Sequence, residues 1–150
     1  MTDLPPGVAL SIEDRPSEAD LDVLGWGLEH FNEAAWPGHQ PWHEFAVFLR
    51  EDARIVGGLA AQAYAGWLFI RYLWLPETLR KRRLGGRLMA EAERRGVALG
   101  CHSAMVDTFS FQAPGFYVKQ GYAEYARLPY PPRFERIFFR KPLAQPPRGT

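Results

Sequence analysis

The stretch from Leu73 to Glu93, LWLPETLRKRRLGGRLMAEAE, constrains this chain more than any other. It reads as the end of an apolar strand, a short basic turn with two glycines, and an amphipathic helix. A strand that feeds such a turn leaves the first backbone N–H groups of the helix without intrahelical partners. The helix dipole adds partial positive charge behind them, so the turn is an anion site whose usual guest is phosphate. Arg80, Lys81, Arg82, Arg83 and Arg87 surround it and attract a multiply charged ligand. The turn lacks the Gly-x4-Gly-Lys-Ser/Thr of a P-loop and the spaced glycines of a dinucleotide fold, so neither pattern applies.

The surrounding elements follow from periodicity. Val8, Leu10 and Ile12 alternate as a first strand would. Ser17-Glu18-Ala19-Asp20 resembles a capping box, after which Leu21, Leu24, Leu28 and Phe31 recur at helical spacing. Gly25 and Gly27 each cost that helix about 1 kcal/mol and predict a bend or break. Phe45 to Arg50 and Arg54 to Tyr64 read as strands about a turn at Glu51-Asp52, with Gly57-Gly58 marking a bulge or a close backbone neighbour. Ala65-Gly66 turns the chain into Trp67–Leu75, an apolar run suited to a central strand. The helix from Leu84 to Leu99 has an inner face of Leu84, Leu88, Ala92, Gly96 and Leu99, and Gly100 stops it. Strands are expected at Ala104–Phe109, Tyr122–Leu128 and Arg133–Lys141. Together these make an α+β fold: a mixed, largely antiparallel central sheet of about six to seven strands flanked by helices.

A second motif lies further along. From Asp107 the chain reads DTFSFQAPGFYVKQGY, ending in a short helix with Tyr117-x-x-x-Gly121 and an aromatic residue. Arg80-x-x-Arg83-x-Gly85 and this segment, in that order, resemble the two signatures of the GNAT family of acetyltransferases, Arg83 standing where the family has glycine. The resemblance covers roughly residues 44 to 141 and is specific from Leu73 to Tyr122. It implies the acyl-CoA N-acyltransferase fold and acetyl-CoA as cosubstrate. By the same resemblance, main-chain groups of Leu73, Trp74 and Leu75 hold the pantetheine arm beside a splayed sheet. Main-chain donors from Arg80 through Lys81, Arg82, Arg83, Leu84, Gly85 and Gly86 to Arg87 take the pyrophosphate. Ser110 stands where many members carry an asparagine that bonds the pantetheine, Ala113 and Phe116 complete that side, and Tyr117 matches the tyrosine that protonates the departing thiolate. A phenol with a pKa of about 10 is protonated near neutrality and can donate.

Acetyl transfer to an amine also needs a base and an acceptor wall. Glu33, Glu44, Asp107, His30, His39, His43, His102 and a water chain remain open as bases, with Glu33 preferred because the first helix borders the acceptor cleft in the family. Trp26, Trp36 and Trp42 crowd that helix and the loop after it, and aromatic faces attract cationic amines. The expected acceptor is therefore a small, partly apolar amine, with Tyr130-Pro131-Pro132 as a rigid turn lining the same cleft. The alternative is an acyl-CoA-binding module of the same fold without turnover.

Composition excludes other classes. A chain of 150 residues with 47% hydrophobic and 23% charged residues suits one globular domain, here residues 1–142 with a disordered tail at 143–150. A net charge of +1 gives no reason to expect nucleic-acid binding. One cysteine excludes an internal disulfide and fits a reducing, cytoplasmic setting. No signal peptide or membrane span is visible, and no metal-ligand spacing occurs. A homodimer through the edge of the Arg133–Lys141 strand is the expected assembly.

Overall fold

A computed structural model describes residues 3–143. The chain divides into two compact units, residues 1–38 and 39–150.

The first unit holds α1 (Glu18–Ala35). Ser17 caps it in extended conformation, its Oγ accepting the Asp20 N–H at 3.1 Å. The helix is continuous through Gly25 and Gly27, contrary to the expected break. A Cβ at either glycine would meet nothing within 4 Å, so no neighbour forces a bend, and the helical ladder absorbs the propensity cost. Residues 8–12 form no strand, which corrects the reading of Val8, Leu10 and Ile12. Alternation supplies two faces but not a hydrogen-bonded neighbour, and the Val8 N–H bonds back to the Pro5 carbonyl at 3.0 Å.

The second unit holds β1 (His43–Glu51), β2 (Arg54–Tyr64), β3 (Trp67–Trp74), α2 (Leu84–Ala98), β4 (Ser103–Phe109), α3 (Pro114–Lys119), β5 (Ala123–Tyr130) and β6 (Phe134–Pro142). The strands form one six-stranded sheet in the order β1-β2-β3-β4-β6-β5. Only β3 and β4 run parallel, joined by the α2 crossover; the other neighbours are antiparallel. Alternate residues of the central strands, including Leu59, Ala61, Leu68, Ile70, Ala104, Val106, Ile137 and Phe139, form one buried face. Against it α2 buries Leu88, Met89, Ala92 and Gly96.

The Gly57-Gly58 signal resolves into both alternatives that it allowed. Leu49 pairs with Gly57 and Arg50 with Ile55, so Val56 is bulged. A Cβ on Gly58 would stand 2.6 Å from the Val47 carbonyl oxygen, so only glycine lets the two backbones approach.

Two further expectations meet the sheet. The strand proposed to pair across a dimer, now β6, lies between β4 and β5 and has no free edge; the edges are β1 and β5. Of the expected tail, Leu143 is buried with its N–H bonded to the His102 carbonyl at 2.8 Å. Residues 144–150 lie outside the described residues.

Candidate active site

The sheet opens at its centre. β3 continues to Trp74 and β4 to Phe109, yet their pairing ends at Ile70 with Val106. On its other side β3 skips a register at Arg71, Ala61 pairing with Ile70 and Ala60 with Tyr72. Such a bulge twists a strand out of plane. β4 meanwhile stays with β6 as far as Phe109 and Arg136. Each strand keeps its outer neighbour and loses the inner one, leaving Leu73 and Trp74 with no strand partner on the β4 side. Main-chain groups along such an edge seek partners, and an extended ligand arm with amides supplies them. Leu75 comes directly after, its carbonyl accepting the Arg80 Nε–H at 3.1 Å.

The loop beyond carries the candidate anion site. After a single 3-10 turn at Glu77–Leu79, Lys81 and Arg83 both adopt left-handed backbone, with φ of 63° and 58°. Each such residue with a Cβ costs about 1–2 kcal/mol, and a turn of this kind curls successive N–H groups into one concavity. Arg83 is the N-cap of α2, and no side chain caps the helix there. The first N–H taken up within the helix is that of Arg87, bonded to the Arg83 carbonyl at 3.2 Å. The N–H groups of Leu84, Gly85 and Gly86 precede it, with exposed Lys81, Arg82, Arg83 and Arg87 around them. This donor set fits a pyrophosphate, which takes many N–H bonds and tolerates no carboxylate nearby; the first turn of α2 has none.

Glycine has a packing reason at the next position. A Cβ on Gly85 would lie 3.0 Å from Cε2 and 3.1 Å from Cζ of Phe116, so the helix start rests on the ring of α3. Phe116 is thereby a support beneath the start of α2. Ala113 caps α3 with φ of −142°, and Pro114 begins it.

Tyr117, next on α3, is 7% exposed, its ring packed against Phe116, Tyr122 and Phe139 at centroid distances of 5.1, 6.1 and 6.1 Å. Its hydroxyl has no hydrogen-bond partner among the described residues. No buried side-chain polar atom there lacks one, so the hydroxyl reaches open space. Burial, and secondarily the negative charge of Asp107, push its pKa up to about 12. Tyr117 is thus protonated at any physiological pH, a donor without an acceptor among the described residues. Ser110 accepts the Glu135 N–H at 3.0 Å through Oγ, which leaves its O–H to donate.

The base candidates separate by position. Asp107 is the first residue of β4 beyond the last β3–β4 pair, at the root of the opening. Arg136 grips it through one oxygen, Oδ1, at 2.8 Å from Nε and 2.7 Å from Nη2. His39 is buried against the Tyr64 hydroxyl at 3.1 Å. His43 pairs with Ala63, and His102 meets Ser103 and Trp67, all at the hairpin end of β2 and β3. Glu44, on β1 and two strands from the opening, accepts from the Gln62 amide of β2.

Trp42 also belongs to the hairpin end, its ring 5.8 Å from that of Tyr64. The strand rise puts that end about 20 Å from Leu73. Glu33, Trp26 and Trp36 belong to the first unit. There Glu33 accepts the Gly38 N–H at 3.2 Å and Trp36 is the C-cap of α1.

Sequence reasoning missed Arg136, and with it an aromatic cluster at the end of β4. Phe109 stacks on Phe111 at 5.3 Å, meets Tyr130 edge-on at 5.0 Å, and Phe111 meets Phe134 at 4.8 Å. Alternation places Asp107 and Phe109 on one face and gave a signal for that much. The register that brings Arg136 opposite Phe109 joins residues far apart in the chain and left no local trace.

Comparison with known proteins agrees with this geometry. The family model for the acetyltransferase (GNAT) family matches residues 12–122. A blasticidin-S acetyltransferase from Streptomyces morookaense is 42% identical over 96 residues, covering 62% of this chain and 71% of that protein. An acetyltransferase from Agrobacterium fabrum is 31% identical over 78 residues, covering 52% of this chain and 57% of that one. The crystal structure of an acetyltransferase from Bacillus cereus superposes with a TM-score of 0.75 at 29% identity, covering 89% and 98% of the two chains. With a splayed β3–β4 edge, an uncapped helix start and a poised tyrosine set in the order of that matched region, the chain belongs to the GNAT family of acetyltransferases.

Proposed function

We propose that residues 1–142 work as one N-acetyltransferase domain that moves the acetyl group of acetyl-CoA to a primary amine on a small molecule, by direct attack in a ternary complex. The observation that carries this reading is the opening between β3 and β4, with the uncapped start of α2 at one end and the unpartnered Tyr117 hydroxyl beside it. Bound acetyl-CoA supplies a thioester carbonyl; everything else is the work of this chain. The N–H groups from Lys81 to Gly86 hold the pyrophosphate, those of Arg80 and Arg87 being bonded to the Glu77 and Arg83 carbonyls, and the basic side chains add long-range attraction. The free edge of Leu73 and Trp74, and the N–H of Leu75, bond the amide-bearing arm and aim its carbonyl. Ser110 donates to the same arm from the β4 side.

Tyr117 then faces the sulfur. A phenol at about 12 lies some 3.5 units above an alkyl thiol near 8.5, so outright proton transfer to the thiolate is uphill. Its contribution is a hydrogen bond that strengthens as charge develops on sulfur, which is what transition-state stabilisation requires. The acylated nitrogen sheds the proton that balances the thiol released.

The relative from Streptomyces morookaense makes blasticidin S the first acceptor to assay, alongside simple amines and lysine-containing peptides. Thiol release that depends on both acetyl-CoA and a small amine supports the reading. Turnover with peptides alone would remove the small-molecule acceptor, and binding of acetyl-CoA with no turnover on any amine would favour a binding module.

A further inference from the structure

The acceptor side of the opening has its own chemistry, and a role for it in choosing the amine rests on the transferase reading. Asp107 and Phe109 point to the face of β4 opposite the buried one, because Val106 and Thr108 between and beside them are in the core. On β6 their partners Phe138 and Arg136 share that face. Arg136 is fixed there: it holds Asp107 Oδ1, reaches the Tyr130 hydroxyl at 3.4 Å, and lies over the rings of Phe109 and Phe138 at 5.9 and 5.3 Å. Asp107 is thereby oriented through one oxygen, while the contacts of Arg136 leave Oδ2 for a ligand. Phe111 stacks on Phe109 and meets the Phe134 ring in a T at 4.8 Å, and at 59% exposure it still offers ring surface to solvent.

We propose that the acceptor is a cationic amine carried on a flat, unsaturated ring system, with the ring stacked on the outer face of Phe111 and the ammonium received by Oδ2 of Asp107 at the β3–β4 opening. Rings on this surface already take cations and edges, as the Arg136, Arg133 and Tyr130 contacts demonstrate, so a further planar group extends an existing stack. Asp107 sets the charge and Phe111 the shape. They stand four positions apart, which at the strand rise limits the span between amine and ring to about 13 Å. Asp107 holds the ammonium at the opening, and the amine gives one proton to solvent water before it attacks; the second proton, shed after attack, balances the thiol.

The test uses the full chain and amines in matched pairs, ω-phenylalkylamines with about four to eight carbons against their ω-cyclohexyl counterparts, a span within that limit. Binding is measured by calorimetric titration with coenzyme A present, and acetyl-CoA binding is measured separately. The wild-type protein is expected to prefer the phenyl member of each pair. Phe111→Leu, which keeps apolar bulk and loses the flat face, should weaken the phenyl amines about tenfold and leave the cyclohexyl ones unchanged. Asp107→Asn should weaken both members alike and leave acetyl-CoA affinity intact. Equal affinity within pairs, or a Phe111→Leu loss common to both members, overturns the proposal, and Phe111 decides it even where Asp107→Asn fails to fold. Loss of acetyl-CoA binding with ring selectivity intact would instead strike the transferase reading alone.

Discussion

Replacing Arg83 separates the two things this residue does, because its backbone and its side chain act in different ways. Its φ of 58° and ψ of 17° put a residue with a Cβ in the left-handed region, at a cost of about 1–2 kcal/mol. Glycine removes that cost but gives back about 0.5–1 kcal/mol in unfolded-chain entropy. Arg83→Gly should therefore stabilise the protein by about 0.5–1 kcal/mol, raising Tm by about 1–4 °C for a chain of this length. Arg83→Ala loses the same charge but keeps the strain, so its Tm should not rise. Both variants lose one exposed cation beside the pyrophosphate. Such a charge contributes at most about 1 kcal/mol, so acetyl-CoA affinity should fall by no more than about fivefold in each. Thermal unfolding without ligand and calorimetric titration with acetyl-CoA read the two effects separately. A fall in Tm for Arg83→Gly, or an equal rise for Arg83→Ala, would refute the backbone argument. Abolished acetyl-CoA binding in either would show that the side chain, rather than the main chain, holds the phosphates.

Other residues give equally direct outcomes. Tyr117→Phe keeps the ring contacts and removes a hydroxyl with no partner among the described residues, so Tm should stay within about 2 °C while kcat falls about a hundredfold and acetyl-CoA affinity is kept; undiminished kcat would falsify the donor role. The folded-state pKa of Tyr117 lies above its unfolded value. Stability should therefore be flat from pH 7 to 9 and decline between about 10 and 12, by about 3 kcal/mol from this group, as the unfolded chain releases its proton first. Denaturant titrations across that range, compared with Tyr117→Phe, isolate the contribution. Gly85→Val would drive a branched side chain into the Phe116 ring, and the expected result is a loss of acetyl-CoA binding well beyond any change in Tm. Gly58→Ala places a methyl 2.6 Å from the Val47 oxygen and should destabilise by about 2 kcal/mol or more, read as a lowered denaturant midpoint.

Much of this architecture was legible in the sequence because it is local. The turn at Ala65-Gly66, the helix face of Leu88, Ala92 and Gly96, and the Tyr117-x-x-x-Gly121 motif all announce themselves within a few residues. Failures arose where a second segment decides the outcome. Alternation at Val8, Leu10 and Ile12 says which face a strand would show but not whether a neighbour offers its hydrogen bonds. The strand at Phe134–Pro142 has the look of an edge at the end of the chain and lies instead between β4 and β5. The left-handed backbone at Lys81 and Arg83 gave no signal at all, since neither residue type favours it.

The central claim is that the opening between β3 and β4 and the start of α2 together hold acetyl-CoA. It is tested most directly by thermal unfolding with acetyl-CoA, using an adenine nucleotide as the control. A ligand at 100 times its Kd stabilises the folded state by about 2.7 kcal/mol, which for a chain of this length raises Tm by about 5–10 °C. The account predicts a rise of that size with acetyl-CoA and a clearly smaller one with the nucleotide, because the latter reaches the anion site but not the strand edge. Equal shifts would deny the opening any part in binding, and no shift at millimolar acetyl-CoA would contradict the account as a whole.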